Sequence, residues 1–437
     1  MWLEKSVFYQ FYPLGMCGAP KENDGIEVAR IKRVEAWIPQ LKKLNVDAVY
    51  FSPVFESDRH GYDTRDYRKI DCRLGSNRDF ADVCKKIKKE NIKIVLDGVF
   101  NHTGRGFWAF CDVLKNRENS PYKDWFYIDF GKNSCFNDGF YYEGWEGHYE
   151  LVKLNLKNDE VCKYIFDSIQ MWVDEFDIDG LRLDVAYCID EDFLRKIRSF
   201  CYSLKPDFIL IGEILFGDYK RIVNTSMLHS CTNYECYKGL YSSCNDLNLF
   251  EISYSLNRLF AADTGIYKGE HMLIFADNHD VIRAASVLKD KKHLRLLYGL
   301  MFAMPGIPCI YYGSEWGIEG TKENGSDYAL RPEIQKPEFN ELSESIAKFA
   351  KIHKQEKALL YAPYKEVLLT NRQLVFEREY EGERIWVAIN IDSNPYYADF
   401  TNAGVKGEAQ DLLNGCDVSL LSGIELAPYS IYYWKFK

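Results

Sequence analysis

Three acidic side chains stand where chemistry is expected. Asp184 closes the run IDGLRLD, Glu213 closes FILIGE and Asp280 closes LIFADNHD. Each follows a short apolar stretch of strand composition, and the C-terminal ends of strands are where barrel enzymes assemble their active sites. One such aspartate alone would read as a helix N-cap. Three on different strands, with Arg182, His102 and His279 beside them, make a carboxylate constellation. The chemistry that suits such a set is cleavage of a glycosidic acetal. It needs one protonated carboxyl for the departing oxygen and one carboxylate for a carbon that becomes oxocarbenium-like. A neighbouring arginine keeps the second group ionised, while burial and nearby negative charge raise the pKa of the first.

Such groups need a scaffold, and the apolar pattern supplies one. Eight β-rich runs recur: SVFYQFYPL, VDAVYFSPVF, IKIVLDGVF, IDGLRLDVA, DFILIGEIL, the weaker SMLHSCTNYE, HMLIFADNHD and GIPCIYYG. Stretches of helical spacing such as Arg78 to Asn91 separate them. Continuous apolar runs alternating with helices imply parallel strands covered on both faces. Eight units predict an α/β fold, a (β/α)₈ TIM barrel, formed by residues 1–101 and 156–356. The interval from Val95 to Leu181 is about twice the usual βα length, so an insertion over residues 102–155 is expected above the barrel mouth. Its aromatic residues (Phe107, Trp108, Trp125, Tyr141, Tyr142, Trp145) are expected to narrow that mouth, with most of them also serving the insertion's own core. From residue 357 to 437 alternating strands such as QLVFEREY and RIWVAINI predict a separate C-terminal antiparallel β-sandwich domain.

Bulk properties exclude several function classes. The chain has 437 residues, with 55 Lys+Arg against 65 Asp+Glu and a net charge of −10, so a nucleic-acid partner is not expected. A neutral carbohydrate suits that balance and the 15% aromatic content. Thirteen cysteines without C-x-x-C pairs read as reduced thiols, and no metal site is expected of them. The N-terminus shows no signal-peptide pattern, so a cytoplasmic location is expected. The uncharged run Leu296 to Gly313 is long enough to cross a membrane. Pro305, Gly306 and Pro308 divide it, however, and it reads as a helix, a turn and a buried strand.

The segments DGVFNHTG (97–104), GLRLDVA (180–186), GEI (212–214) and FADNHD (275–280) resemble, in order, the four signature regions of the α-amylase family. HGYDTRDY (60–67) and LVKLN (151–155) resemble two further family segments. The resemblance implies Asp184 as nucleophile, Glu213 as general acid/base and Asp280 as the third carboxylate, which holds sugar hydroxyls. It implies Arg182 as partner of the nucleophile, His102 and His279 as sugar contacts, and Tyr62 as the platform beneath the sugar. Asp327 and Arg331, in GSDYALRP, are further candidates for the wall of the same subsite. Asp97 and Asn101 are expected to support the architecture.

The stretch HGYDTRDYRKID is most similar to the neopullulanase and cyclomaltodextrinase branch, whose usual N-terminal β domain has no counterpart before the first strand near residue 6. The implied activity is retaining hydrolysis of α-1,4-linked, and also α-1,6-linked, glucans such as maltooligosaccharides, cyclodextrins or pullulan. Two alternatives stay open: transfer or isomerisation by the same residues, and a non-catalytic carbohydrate-binding relative. Tyr187 and Cys188 follow Asp184 where many relatives have Lys-His or Asn-Glu, and Ser314 replaces a common Asp. No cofactor is required. Calcium, often held in the family between barrel and insertion with Asn101 as one ligand, is not expected because the other ligands cannot be assigned. Monomer and homo-oligomer stay equally open.

Overall fold

The computed structural model describes residues 1–404 and 407–437. Eight short parallel strands carry the architecture: β1 (Phe8–Phe11), β2 (Ala48–Phe51), β3 (Lys93–Gly98), β4 (Gly180–Leu183), β5 (Ile209–Gly212), β6 (Ser230–Cys231), β7 (Leu273–Phe275) and β8 (Ile307–Tyr311). Their order is β6-β5-β4-β3-β2-β1-β8-β7, and a parallel bridge between Thr232 and Leu273 joins the two ends into a barrel. Apart from Lys93 at the start of β3, every residue of these strands is buried, because the barrel interior takes one face and the helices take the other. That is why they read as continuous apolar runs.

The helix between β2 and β3, Asn77–Lys89, shows how local sequence builds the outer layer. Ser76 accepts from the Asp79 amide while Asp79 reaches back, a capping box. Phe80, Val83, Cys84 and Ile87 then form the buried stripe, and lysines fill the last turn. The membrane-length apolar run divides as its prolines predict, into the helix His293–Ala303 and strand β8. Ten of that helix's eleven residues are buried, since it lies between the barrel and the C-terminal sheet. A Cβ on its Gly299 would meet Ile431 and Phe349 side chains. Among the described residues no helix is long and apolar enough to cross a membrane.

Between β3 and β4 the chain makes a three-stranded sheet (Gly144–Trp145, His148–Lys153 and His102–Gly104) and the helix Trp108–Asn116. Its aromatic residues mostly pack on one another. Phe107 and Tyr142 are fully buried, and Trp108 meets Trp125 and Tyr122 edge to face.

The helix Lys357–Tyr361 precedes the C-terminal strands, which begin at Lys365. Six strands form one antiparallel sheet, and Tyr396–Asp399 pairs with Gly423–Leu426 in a second. In Glu383–Asn390 the period of two divides the burial. Ile385, Val387 and Ile389 join the main core, whereas Trp386 and Ala388 face the second sheet with Phe400 and Trp434. Arg378 fastens this sheet to the barrel. Its buried guanidinium donates to the carbonyls of Ala303 (2.6 Å), Leu359 (3.0 Å) and Ala362 (2.7 Å), and burial pushes its pKa down to about 9. Arg378→Met keeps the volume but strands three buried carbonyls. It is expected to lower unfolding free energy by roughly 2–4 kcal/mol. Denaturant titration checks this, and a loss below about 0.5 kcal/mol would show that the clamp is dispensable.

Candidate active site

Inward-facing residues change character along the barrel axis. Toward the N-terminal ends, Phe8, Ala48, Val95, Ile209, Ile307 and Cys309 belong to one enclosed apolar cluster. Two residues further along the same strands stand Gln10 (β1), Tyr50 (β2) and Asp97 (β3), all buried, with Arg182 two beyond Gly180 on β4. The strand period of two therefore sets a polar storey on an apolar one. Register does the rest. Arg182 lies opposite Asp97, and Leu183 lies opposite both Gly98 and Gly212. Asp184 and Glu213 thus leave β4 and β5 side by side, their amides donating to Gly98 O (3.1 Å) and Leu183 O (2.9 Å).

One guanidinium serves three carboxylates. Arg182 Nη1 donates to both Asp97 oxygens (2.9 and 3.0 Å) and to Asp184 Oδ1 (2.8 Å), while Nη2 lies 2.9 Å from Glu213 Oε1. Asp97 also accepts from the hydroxyls of Tyr50 (2.8 Å) and Tyr62 (3.1 Å). All four charged residues are buried. Burial pushes the Asp184 carboxyl well above the usual carboxylate range, Arg182 opposes this, and the charges of Glu213 and Asp97 add to the rise. Three carboxylates thus compete for one cation in a desolvated site.

Backbone strain orients the pair further. Val185 adopts a left-handed conformation (φ 39°), an outlier for a β-branched residue that costs on the order of 1–3 kcal/mol. The turn it makes aims its amide at Glu213 Oε2, 3.0 Å away.

Asp280 faces the pair from the end of β7. His279 Nε2 lies 3.0 Å from Asp280 Oδ2, and Arg331 Nη2 lies 2.9 Å from Oδ1. Burial alone would raise the Asp280 carboxyl, but His279 and Arg331 outweigh it and hold it well below the ordinary range. His279 is stacked between Tyr62 and Tyr12, at centroid distances of 5.5 and 5.9 Å. Both its ring nitrogens are engaged, Nδ1 with Gln10 (2.8 Å) and Nε2 with Asp280 and the Tyr62 hydroxyl. His102 differs. Its Nδ1 meets Asn101 Nδ2 at 3.1 Å, whereas its buried Nε2 has no hydrogen-bond partner and lies 3.9 Å from Asp184 Oδ2. Burial, with His60 adding, pushes His102 down to about 3, so the ring is neutral at ordinary pH and can serve a hydroxyl.

These groups surround a cavity of about 620 Å³. Tyr62, His102, Asp184, Glu213, Asp280, Asp327 and Arg331 line it; Arg182 and His279 stand behind the wall. Of the insertion's six rings, Trp145 alone lines it, so the expectation that they jointly narrow the mouth is replaced by one wall residue. Asp327 Oδ2 lies 3.4 Å from Arg331 Nη2, with Lys322 2.9 Å from its other oxygen. Ser314 donates to buried Asp277 at 2.8 Å and accepts from Arg283, a structural contact.

Among the described residues, no cluster of His, Cys, Asp or Glu ligand atoms gathers around Asn101. Asn101 is buried with its amide turned to His102. Among the described residues, the one convergent group of three His, Cys, Asp or Glu ligand atoms is Glu56, Asp71 and Cys72. There Asp71 is paired with Arg73 at 2.7 Å, and Glu56 accepts from Asn23 and the Cys72 amide. Calcium would require six to eight free oxygens, and no step below is routed through it.

Comparison with known proteins decides the family. Residues 22–359 match the model of the alpha amylase catalytic domain. The chain belongs to the alpha-amylase family. It is 29% identical over 419 residues to a cyclomaltodextrinase of Thermoanaerobacter pseudethanolicus, covering 90% of this chain and 71% of that protein. It is 30% identical over 380 residues to an intracellular maltogenic amylase of Bacillus subtilis, covering 82% of this chain but 63% of the relative. The cyclic alpha-maltosyl-(1→6)-maltose hydrolase of Arthrobacter globiformis superposes with a TM-score of 0.84 at 26% identity over the full length of both chains.

Several members of this alpha-amylase-type site escaped sequence reading. Tyr234 lies 3.5 Å from Glu213 Oε1 and accepts from Asn278 Nδ2 at 3.1 Å, and Asn278 Oδ1 receives the Asp280 amide. Nothing local marks Tyr234, which stands near the end of the weakest apolar run. Gln10 carried a usable signal, a polar side chain inside the apolar run FYQF.

The Asp280 surroundings give a pH prediction. Because its folded pKa is depressed, its contribution is complete above the unfolded value of about 4 and is lost as pH falls below that. Arg331→Met removes one cation and is expected to cost roughly 1.5–3 kcal/mol at pH 7. The deficit should narrow below about pH 4. Melting curves of both proteins from pH 7 to 3 check this; a deficit that stays constant or widens on acidification would contradict it.

Proposed function

We propose that the protein is a retaining α-glucosidic hydrolase acting by double displacement on α-1,4-linked glucans, with α-1,6 linkages also accepted. The observation that carries this reading is Arg182, whose two terminal nitrogens hold Asp184 and Glu213 at one cavity wall. Carboxyls drawn from adjacent strands to one guanidinium suit the closely spaced nucleophile and acid/base of a retaining enzyme.

In the first step Asp184 attacks the anomeric carbon while Glu213 gives its proton to the glycosidic oxygen. The C–O bond to the leaving sugar breaks, and a covalent glycosyl ester forms on Asp184. In the second, Glu213 takes a proton from water, whose oxygen displaces Asp184 with a second inversion. Asp280, kept ionised by His279 and Arg331, accepts from sugar hydroxyls. His102 Nε2, buried and without a partner, is placed to bond another. Tyr62 forms the floor beneath the ring.

The relatives' descriptions as cyclomaltodextrinase and maltogenic amylase support maltodextrins and cyclodextrins as the substrate class. A cytoplasmic location is supported by the relative described as intracellular and by thirteen cysteines that form no disulfide. A sugar replacing water as acceptor is the second reading. It is favoured by the exposed Phe216, whose ring lies 5.5 Å from that of Tyr187 beside the cavity.

Two tests apply. Early product from maltotriose should be the α anomer by proton NMR, and β product would exclude retention. Glu213→Gln should lower maltotriose turnover about 10²–10⁴-fold, with a smaller loss on α-glucosyl fluoride, which needs no protonation. Asp184→Asn should fail on both substrates alike. Near wild-type maltotriose turnover by Glu213→Gln would refute the assignment.

A further inference from the structure

A pocket of about 230 Å³ lies at the end of the barrel opposite the carboxylates. Leu228 and His229, just before β6, line it with Gly269 to His271, just before β7. Arg198, from the helix Glu191–Leu204, reaches it from outside. It shares no residue with the catalytic cavity. Its volume falls below the roughly 300–1,000 Å³ of drug-sized ligand sites, so it suits a small metabolite.

The pocket holds one cation and one carboxylate that lack opposite partners. Among the described residues, the Arg198 guanidinium has a single hydrogen-bond partner, the neutral acceptor His229 Nδ1. Burial lowers its pKa, and no carboxylate opposes that shift. The Glu270 side chain has neither a hydrogen bond nor an ion pair among the described residues. Burial raises its pKa, with Lys220 acting against the rise. A charge drawn partly out of water normally takes an opposite partner. Here two such charges line one space without serving each other. The remaining carboxylate, Glu4, is already paired with the Met1 amine at 2.9 Å.

Two histidines complete the polar lining without adding charge. His229 Nδ1 accepts from Arg198 and also from the Leu210 amide at 2.9 Å, so its proton sits on Nε2. Burial, with Arg198 adding, pushes its pKa down to about 4. Nε2–H is then a donor with no partner among the described residues. His271 packs edge to face on Tyr361, 5.8 Å between centroids, and burial lowers its pKa as well. Leu3 and Leu228 supply apolar surface.

This inventory selects the ligand by charge. A lone anion such as phosphate would meet Arg198 but also an uncompensated Glu270. A lone amine would satisfy Glu270 and leave Arg198 unserved. A small molecule carrying both charges satisfies both groups at once. We propose that this pocket binds a free α-amino acid, its carboxylate on Arg198 and the His229 Nε2–H, its ammonium on Glu270. Leu3 and Leu228 then face the side chain, which favours an apolar one. The site is separate from the carboxylates of the catalytic cavity and stands whether or not those cleave a glucan.

Calorimetric titration of the full chain with glycine, L-leucine and L-glutamate tests it, with acetate and butylammonium as single-charge controls. The expected result is leucine binding with Kd on the order of 1 mM or tighter, glycine binding more weakly, and neither control binding. Arg198→Met and Glu270→Gln should each weaken leucine binding by about tenfold or more, with the melting temperature of the free protein retained. Neither residue touches the catalytic cavity, so maltotriose turnover in both variants should stay within about twofold of the parent. Absence of binding by all three amino acids, acetate binding as tightly as leucine, or undiminished leucine binding by either variant would overturn the proposal.

Discussion

The Arg182 guanidinium is the interaction on which the rest of the site depends. Asp97, Asp184 and Glu213 come from three adjacent strands and converge on one cation in a space with little water. Without it their mutual repulsion, weak in water, would be several-fold stronger at low effective dielectric. With it, they are held close and share too little positive charge for all to be comfortably ionised. That imbalance is the useful state for acetal cleavage, because one group must carry a proton while its neighbour attacks. The barrel register supplies the arrangement without special loops: opposite positions on parallel strands place arginine against aspartate, and the next inward residues become the reacting pair.

Around this centre, much of the site is support. His279 holds Asp280 and is itself held by Gln10, Tyr12 and Tyr62, so the third carboxylate is fixed by a stack of which only Tyr62 also lines the cavity. Val185 bears backbone strain that aims one amide at Glu213. Such strain persists where surrounding packing over-determines the conformation, and here the fully buried Ala186 and Leu183 flank it. The family match and the supporting geometry agree at this point: the alpha-amylase catalytic domain model spans 22–359, the segment that contains every one of these residues except Gln10 and Tyr12.

The barrel was readable because its strands are buried on both faces. All eight apolar runs become strands, and the weakest of them, SMLHSCTNYE, yields the shortest, two residues long. Charged site residues were readable for a related reason, since acid and arginine side chains at the ends of apolar runs have no packing explanation. The neutral partners were not. Tyr234 and Asn278 have side chains that suit loops, and only the fold shows that they bridge Glu213 and Asp280. In the C-terminal region, Glu408–Asp411, Cys416–Ser419 and Gly423–Leu426 carry no apolar alternation strong enough to register, because edge and outer strands keep much of their surface in solvent. The aromatic insertion was legible in composition but not in role, since rings that form a subdomain core and rings that face a ligand have the same sequence signature.

Trapping the glycosyl-enzyme tests the central claim most directly. A 5-fluoro-α-glucosyl fluoride carries a good leaving group but slows both steps, so an intermediate accumulates when its formation outruns its hydrolysis. Peptide mapping by mass spectrometry should place one fluoroglucosyl adduct on Asp184, and Arg182→Met should abolish or greatly slow its formation. An adduct on Glu213, or labelling at Asp184 that proceeds at the wild-type rate without Arg182, would contradict the account.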